Sequence, residues 1–278
     1  MGDKISIIIP VHNGEKYIAK LVKKLLMQTY KNIEIILVEN NSSDKSKEIC
    51  EKLSCDNEKV ITIISNIKGT SLARKTGIVN SRGKYIVFMD QDDCYVSKNA
   101  LEKMYQAIEY DKSQICQVCY YKSYFGLFKR LIGKNVENKI YEREEFFRNE
   151  IKGILGIKGS QFNVNVWNKI YSGELLRKIS GTIDAELYFA EDVYLNIAAF
   201  YNDILTKVSA RKEAYYAWNY GVGFSGTSES GKRLFEDYKV VKPLAIERLR
   251  KYHCDEDVVF ACFWEVIWFH RYLVYQMI

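Results

Sequence analysis

Proline is nearly absent: the 278 residues hold only Pro10 and Pro243. Pro10 closes the β-branched run Ile5–Pro10, and a residue without an amide proton suits a place where a strand is ending. Long apolar runs are missing as well. No stretch of about 18 charge-free apolar residues is available to span a bilayer; the nearest, Val258–Ile278, is broken by Glu265, His270 and Arg271. There is no block of like charges, which argues against a nucleic-acid-binding arm, and no repeat or low-complexity linker. The seven cysteines are odd in number and irregularly spaced, so they outline no disulfide framework. Cys116 and Cys119 form a CxxC without the second pair a zinc site needs, inside a strand-like run where i and i+3 face opposite ways. Met1 is not followed by a basic and apolar leader. Free thiols in a reducing cytoplasm are the expectation, with peripheral contact at the inner face of a membrane as a variant.

The chain carries the ordinary makings of a globular fold. An apolar fraction of 47% against 27% charged residues excludes disorder. The net charge of +6 is compatible with a polyanionic small molecule or an anionic surface, and equally with plain solvation.

Four near-continuous apolar runs alternate with helical periods: strands at Ile5–Pro10, Ile33–Val38, Val60–Ile64 and Lys84–Met89, helices at Glu15–Gln28, Ser43–Leu53 and Gly69–Asn80. That alternation predicts βαβ units with right-handed crossovers, hence a doubly wound, mostly parallel sheet. A helix at Asn99–Tyr110 and a strand at Ser113–Tyr121 continue it. Beyond, the pattern decays into helical readings at Tyr141–Ile151, Trp167–Ile179, Glu191–Phe200 and Gly231–Lys251, and an aromatic-rich tail at Asp257–Ile278.

Ligands of an open parallel sheet bind beyond the carboxyl ends of its strands, where strand order reverses. Three motifs sit at such ends: Pro10-Val11-His12-Asn13-Gly14, Glu39-Asn40-Asn41-Ser42 and Asp90-Gln91-Asp92-Asp93. If the first and fourth strands are neighbours, the first and last motifs line one crevice. In extended chain Asp90 and Asp92 project to one side. Oxygen ligands of that kind suit Mg²⁺ or Mn²⁺ bridging phosphates. The competing reading is a helix N-cap supplied by Asp93 or Ser97. Asn40 and Asn41 suit either a nucleobase or a turn. Arg74 and Lys75 suit phosphate, base or a solvated face. Glu191-Asp192 reads alone as acidic residues in a first helical turn, with at most one facing the crevice because neighbours on a helix diverge by about 100°.

The ordered combination resembles the family 2 glycosyltransferases with the GT-A fold. It comprises Pro10-Val11-His12-Asn13, Gln28-Thr29-Tyr30 with Ile33-Glu34-Ile35, Glu39-Asn40-Asn41-Ser42-Ser43-Asp44, Ala73-Arg74-Lys75-Thr76-Gly77 and Asp90-Gln91-Asp92-Asp93. Trp167-Asn168-Lys169-Ile170-Tyr171 with Glu174-Leu175-Leu176, then Glu191-Asp192 and the aromatic strand around Tyr215-Tyr216, extend the match to about residues 4 to 230. The resemblance implies an inverting, non-processive transferase of cell-surface polysaccharide or glycan synthesis; the Q-x-x-R-W motif of processive synthases is absent. It implies Asp192 as general base with Glu191 beside it, and Asp92 supported by Asp90 on Mn²⁺ or Mg²⁺. Pro10, Val11, His12, Asn13, Glu39, Asn40, Arg74, Asp90 and Gln91 become the donor-binding set. Asn40 stands where the family has Asp, which leaves a UDP-sugar as a preference. The acceptor would be a glycan or lipid-linked saccharide, and no nucleic-acid partner is expected.

The expected organisation is a GT-A domain over 1–230, divided into a nucleotide-sugar half (1–96) and an acceptor half (97–230), with a helical extension over 231–278. For the tail, packing on its own domain is the first reading; homodimerisation or membrane-surface contact is the second. Two alternatives stay open. One is a non-catalytic partner subunit of the same fold; the other is a nucleotidyltransferase, although its glycine-rich phosphate loop is missing.

Overall fold

The computed structural model describes residues 2–220 except 67–68, 125–127, 151–152, 154–159 and 189–190, with isolated positions between 236 and 247. The tail at Asp257–Ile278 lies outside the described residues, as does most of the expected helix at Gly231–Lys251.

Strands β1 (Ile5–Val11) and β2 (Ile33–Asn40) are buried almost throughout, as their unbroken apolar runs require of a sheet covered on both faces. Between them α1 (Ile18–Leu26) buries Ile18, Leu21, Val22 and Leu25, the stripe expected of an amphipathic helix. It begins a turn later than its apolar period suggests, because the Gly14 carbonyl takes both the Tyr17 and Ile18 amides in a preceding turn. Helix α2 (Ser46–Asp56), β3 (Val60–Ser65), α3 (Thr70–Asn80) and β4 (Tyr85–Phe88) complete the alternation. A Cβ on Gly77 would stand 2.3 Å from an Ile8 methyl, so its bare backbone is what lets α3 press onto β1.

The remaining elements are β5 (Cys94–Tyr95), α4 (Ala100–Asp111), β6 (Ile115–Tyr124), β7 (Phe128–Ile132) and β8 (Lys139–Glu142). They continue with α5 (Arg143–Asn149), β9 (Lys169–Ser172), α6 (Gly173–Ile179), α7 (Glu191–Phe200) and β10 (Lys207–Tyr220). The sheet runs β3-β2-β1-β4-β9-β6-β10-β5, with β7 on β6 and β8 on β10. Along that path only β9 and β5 run against the others, so this is an α/β fold with a mostly parallel sheet. The chain winds outward from β1 to β3 and returns to β4 on the other side of β1, which makes the β1/β4 boundary the switch point.

Several expectations need correction. Pro10 lies one residue inside β1, paired with Val38; β1's pairing with β4 already ends at Ile8–Phe88, so no ladder bond to β4 is lost there. The helix expected over Trp167–Ile179 begins as β9, which fills the gap between β4 and β6 and pairs antiparallel with both. Tertiary pairing overrides the helical period there. The first residues of the expected Tyr141–Ile151 helix likewise belong to β8, held by β10. The expectation of free thiols is met at Cys116 and Cys119, both free and buried.

Candidate active site

The loops at the switch point are tied to one another. The His12 amide donates to Gln91 Oε1 at 3.0 Å and Gln91 Nε2 returns a bond to the His12 carbonyl at 2.8 Å, joining the ends of β1 and β4. This crossing requires Gly14, where a Cβ would meet Gln91 Oε1 at 2.3 Å. His12 Nδ1 lies 2.8 Å from the Asn40 carbonyl, linking β1 to β2. Asn13 and Asn41 both take left-handed backbone, φ 51° and 54°, a conformation asparagine tolerates better than most residues. The Asn13 amide meets Ser42 Oγ at 3.0 Å, and Asn13 Oδ1 accepts from the Ser43 amide at 2.8 Å. Glu39 is spent within its own turn, accepting the Ser42 amide at 2.6 Å. Asn40 is buried: its Nδ2 donates to the Gly69 carbonyl at 3.2 Å, while its Oδ1 has no partner.

The acidic segment is a turn, closed by the Asp93 amide on the Asp90 carbonyl at 3.2 Å, so the extended geometry expected of it does not occur. Asp93 serves no helix cap; the cap position Asn99 makes no side-chain bond either. Instead Asp93 is buried and anchors the turn to β10, accepting from Tyr216 Oη at 2.6 Å and the Asn219 amide at 2.7 Å. Tyr216 Oη also receives the Asp90 amide at 3.2 Å. Asp92 is left with no basic partner among the described residues. Burial, then the charge of Asp90, pushes its carboxyl up to about 7.

Arg74 joins this turn to α7. It is not on a solvated face: its side chain is 2% exposed, with Nη2 3.1 Å from Asp90 Oδ1 and Nη1 2.6 Å from Asp192 Oδ1 and 3.2 Å from Glu191 Oε1. Both acidic residues of α7 therefore reach one guanidinium, where divergence on a helix suggested that only one could. Burial alone would weaken the Arg74 charge, but Asp192, Glu191 and Asp90 together hold the guanidinium protonated well above its ordinary range. One cation against three carboxylates leaves an excess of negative charge. Burial and the neighbouring Asp192, opposed by Arg74, push Glu191 up to about 8. Asp90 is also raised, by burial first, against the pull of Arg74.

Asp192 is steadied from a second side, its Oδ2 accepting the Val166 amide at 3.3 Å. The loop carrying Val166 is shaped by Lys169, whose fully buried ammonium reaches the Asn163 carbonyl at 2.8 Å and the Asn165 carbonyl. Asn196 Nδ2 donates to the Val164 carbonyl. Burial lowers Lys169 to about 7 against the opposing charge of Asp192. The sequence places Asp93 in the acidic cluster but does not show that it anchors the turn, and it gives Lys169 no role, although a lone charge in the Trp167–Tyr171 stretch was the available signal.

A divalent cation fits this chemistry. Asp90 and Asp92 offer only oxygen, and Asp92 is a half-buried carboxylate without a basic partner among the described residues. Among the described residues no three His, Cys, Asp or Glu side chains group into a cage.

Carboxylates gathered at the switch point of an open, mostly parallel α/β sheet are the arrangement of a GT-A-type fold. The profile of Glycosyl transferase family 2 matches residues 6–167, and the chain belongs to that family. It is 31% identical over 206 residues to the glycosyltransferase GlyA of Streptococcus pneumoniae, covering 70% of this chain and 28% of GlyA. It is 27% identical over 221 residues to a poly(ribitol-phosphate) beta-glucosyltransferase of Bacillus spizizenii, covering 77% of this chain and 32% of that enzyme. The chain thus spans about a third of these relatives' length. Among solved structures, S. aureus TarS in complex with UDP-GlcNAc superposes with a TM-score of 0.69 at 22% identity, covering 94% of this chain and 70% of that one. The Pyrobaculum calidifontis mannosyltransferase PcManGT, in complex with GDP-Man and Mn²⁺, gives 0.58 at 13% identity over 89% and 65% of the two chains. Among the described residues no helix is long and apolar enough to cross a membrane.

Proposed function

We propose that this chain transfers a sugar from a nucleoside-diphosphate sugar to an acceptor hydroxyl, with inversion, in the synthesis of a cell-surface glycan or teichoic-acid-like polymer. The observation that carries this reading is the pairing of Asp90 and Asp192 through one buried guanidinium, which brings the carboxylate turn of β4 and the first turn of α7 to a single crevice. GlyA, the poly(ribitol-phosphate) glucosyltransferase and the nucleotide complexes of TarS and PcManGT support it by analogy.

Asp92 and Asp90 would hold Mn²⁺ or Mg²⁺, which when bound neutralises charge on a leaving diphosphate. The acceptor oxygen attacks the anomeric carbon as the bond to the diphosphate oxygen breaks, and Asp192 takes the hydroxyl proton. Val166 and Arg74 keep the Asp192 carboxylate oriented, and Glu191 shares Arg74 with it. His12, Asn13 and Gln91, with the backbone of Pro10 and Val11, form the rigid wall for the nucleotide. Asn40 Oδ1 is the base reader: a buried acceptor without a partner suits a base that presents an N–H, as uracil does at N3. Its amide orientation is fixed, since the Gly69 carbonyl can only accept.

A donor screen over UDP-, GDP- and dTDP-sugars, with Mn²⁺ and with EDTA, tests the reading by following nucleoside diphosphate release. Release with a UDP-sugar, lost in EDTA, is expected. No release with any donor, together with no UDP or GDP binding by calorimetry, would leave a non-catalytic subunit as the better description.

A further inference from the structure

The parallel pair β6 and β10 carries a ladder that the transfer chemistry does not use. Register places Tyr120 beside Tyr216, Lys122 beside Trp218 and Tyr124 beside Tyr220. Alternation along a strand puts all six on one face. The innermost rung is core: Tyr216 is fully buried, stacked on Trp167 at 4.4 Å, and its hydroxyl holds the acidic turn through Asp93. The outer rungs leave the core, with Trp218 half-buried and Tyr220 42% exposed. Trp218 and Tyr220 meet edge to face at 5.2 Å, and Tyr220 lies 5.7 Å from Tyr124.

Lys122 is set among these rings, its Nζ 3.4 Å from the Tyr220 centroid, 5.0 Å from Trp218 and 5.3 Å from Tyr124. Among the described residues it has no carboxylate partner. The strip is also coupled rigidly to the acidic turn: Asn219, between Trp218 and Tyr220, donates its amide to Asp93 at 2.7 Å and its side chain to the Asp92 carbonyl at 2.5 Å.

We propose that Lys122, Trp218 and Tyr220 form the acceptor-binding strip, and that it takes a polyhydroxylated chain bearing phosphate. Aromatic faces stack on the C–H surfaces of sugars and polyols because those surfaces are apolar. An ammonium with no counter-charge, beside rings that exclude water, favours an anion. The charge and the apolar rings lie side by side, so one repeating unit can satisfy both. The inference rests on the transferase reading for the word acceptor, but the binding surface is testable without it.

The test is calorimetric titration of the full chain, without donor, with poly(ribitol phosphate) and separately with neutral cellotetraose. Parallel assays follow UDP binding and donor hydrolysis, in which water replaces the acceptor. Trp218→Ala and Tyr220→Ala should each weaken poly(ribitol phosphate) binding about tenfold, corresponding to about 1.4 kcal/mol, and Trp218→Phe should recover most of the loss. Lys122→Gln should weaken it similarly at low salt and much less at high salt, while UDP binding and hydrolysis stay unchanged in all four. A stronger grip on cellotetraose than on the polymer, or wild-type affinity in the three disruptive variants, overturns the proposal. So does wild-type protein that hydrolyses donor yet binds neither probe. If the polymer binds as expected but no donor is bound or hydrolysed, the strip stands and the transferase reading fails.

Discussion

The two sides of the sheet are built differently. From β3 to β4 the strands are parallel, joined by local crossovers, and their ends meet in backbone-to-side-chain bonds such as those of His12 with Gln91. From β9 to β5 parallel and antiparallel pairings are mixed and partners are distant, as when β6 pairs with β10 some ninety residues later. The first side is the proposed wall for a nucleotide. The second carries the aromatic rungs and, through α7, the candidate base. Arg74 is the seam between them.

The largest effect should come from a change confined to the second side. Asp192→Asn keeps the acceptor oxygen for the Val166 amide but removes the proton-accepting carboxylate. Transfer should fall by about 10²–10⁴, while UDP affinity stays within about twofold because Asp192 meets the first side only through Arg74, which keeps Asp90 and Glu191. Turnover and calorimetry on the same preparation check both halves. Parallel loss of nucleotide binding would mean the two sides are not separable.

That division also explains what could be read from residues alone. Unbroken apolar runs and short crossovers determined β1 to β4, because each strand is covered on both faces and finds its neighbour through a local connection. β9 and β8 read as helix from residues alone because their apolar spacing fits either period, and only pairing with distant strands decides. In the site, the carboxylates were visible as a cluster directly after a buried strand. The role of Arg74 was not, because its partners lie 16, 117 and 118 residues away and only the folding of α3 onto β1 and α7 brings them together.

The next largest effect lies at that seam. Arg74→Met removes the charge shared by Asp90, Glu191 and Asp192 and leaves three carboxylates facing one another, at a cost of about 3–5 kcal/mol. Thermal unfolding should shift down by about 10 °C, taking 2–4 °C per kcal/mol for a domain of this size. Arg74→Lys should rescue only part of it, since one ammonium cannot reproduce the two-pronged contact. A melting point unchanged by Arg74→Met would show the two sides to be held by something else.

A smaller effect isolates the first side. Asn40→Leu removes the unpaired acceptor and should weaken UDP about tenfold, near the usual worth of one buried hydrogen bond, with less change for GDP. Equal losses for both nucleotides, read by calorimetry, would remove Asn40 from base recognition.

The smallest effect measures the charge imbalance at the seam. Glu191 is held up to about 8, so the folded state favours its protonated form. An unfolded glutamate releases its proton near 4.3. Stability from this group is therefore fully present below that value and is lost as pH rises from there through about 8. Glu191→Gln cannot ionise and escapes the loss. The variant should melt close to the wild type at pH 5 and above it at pH 9, the gap growing with pH between the two. A difference that is flat with pH would mean Glu191 is already ionised and fully satisfied by Arg74. In that case one guanidinium would be balancing more carboxylate charge than its geometry suggests. Were the gap to widen toward low pH instead, the imbalance at the seam would have the opposite sign, and Arg74 rather than the carboxylates would be the group in excess.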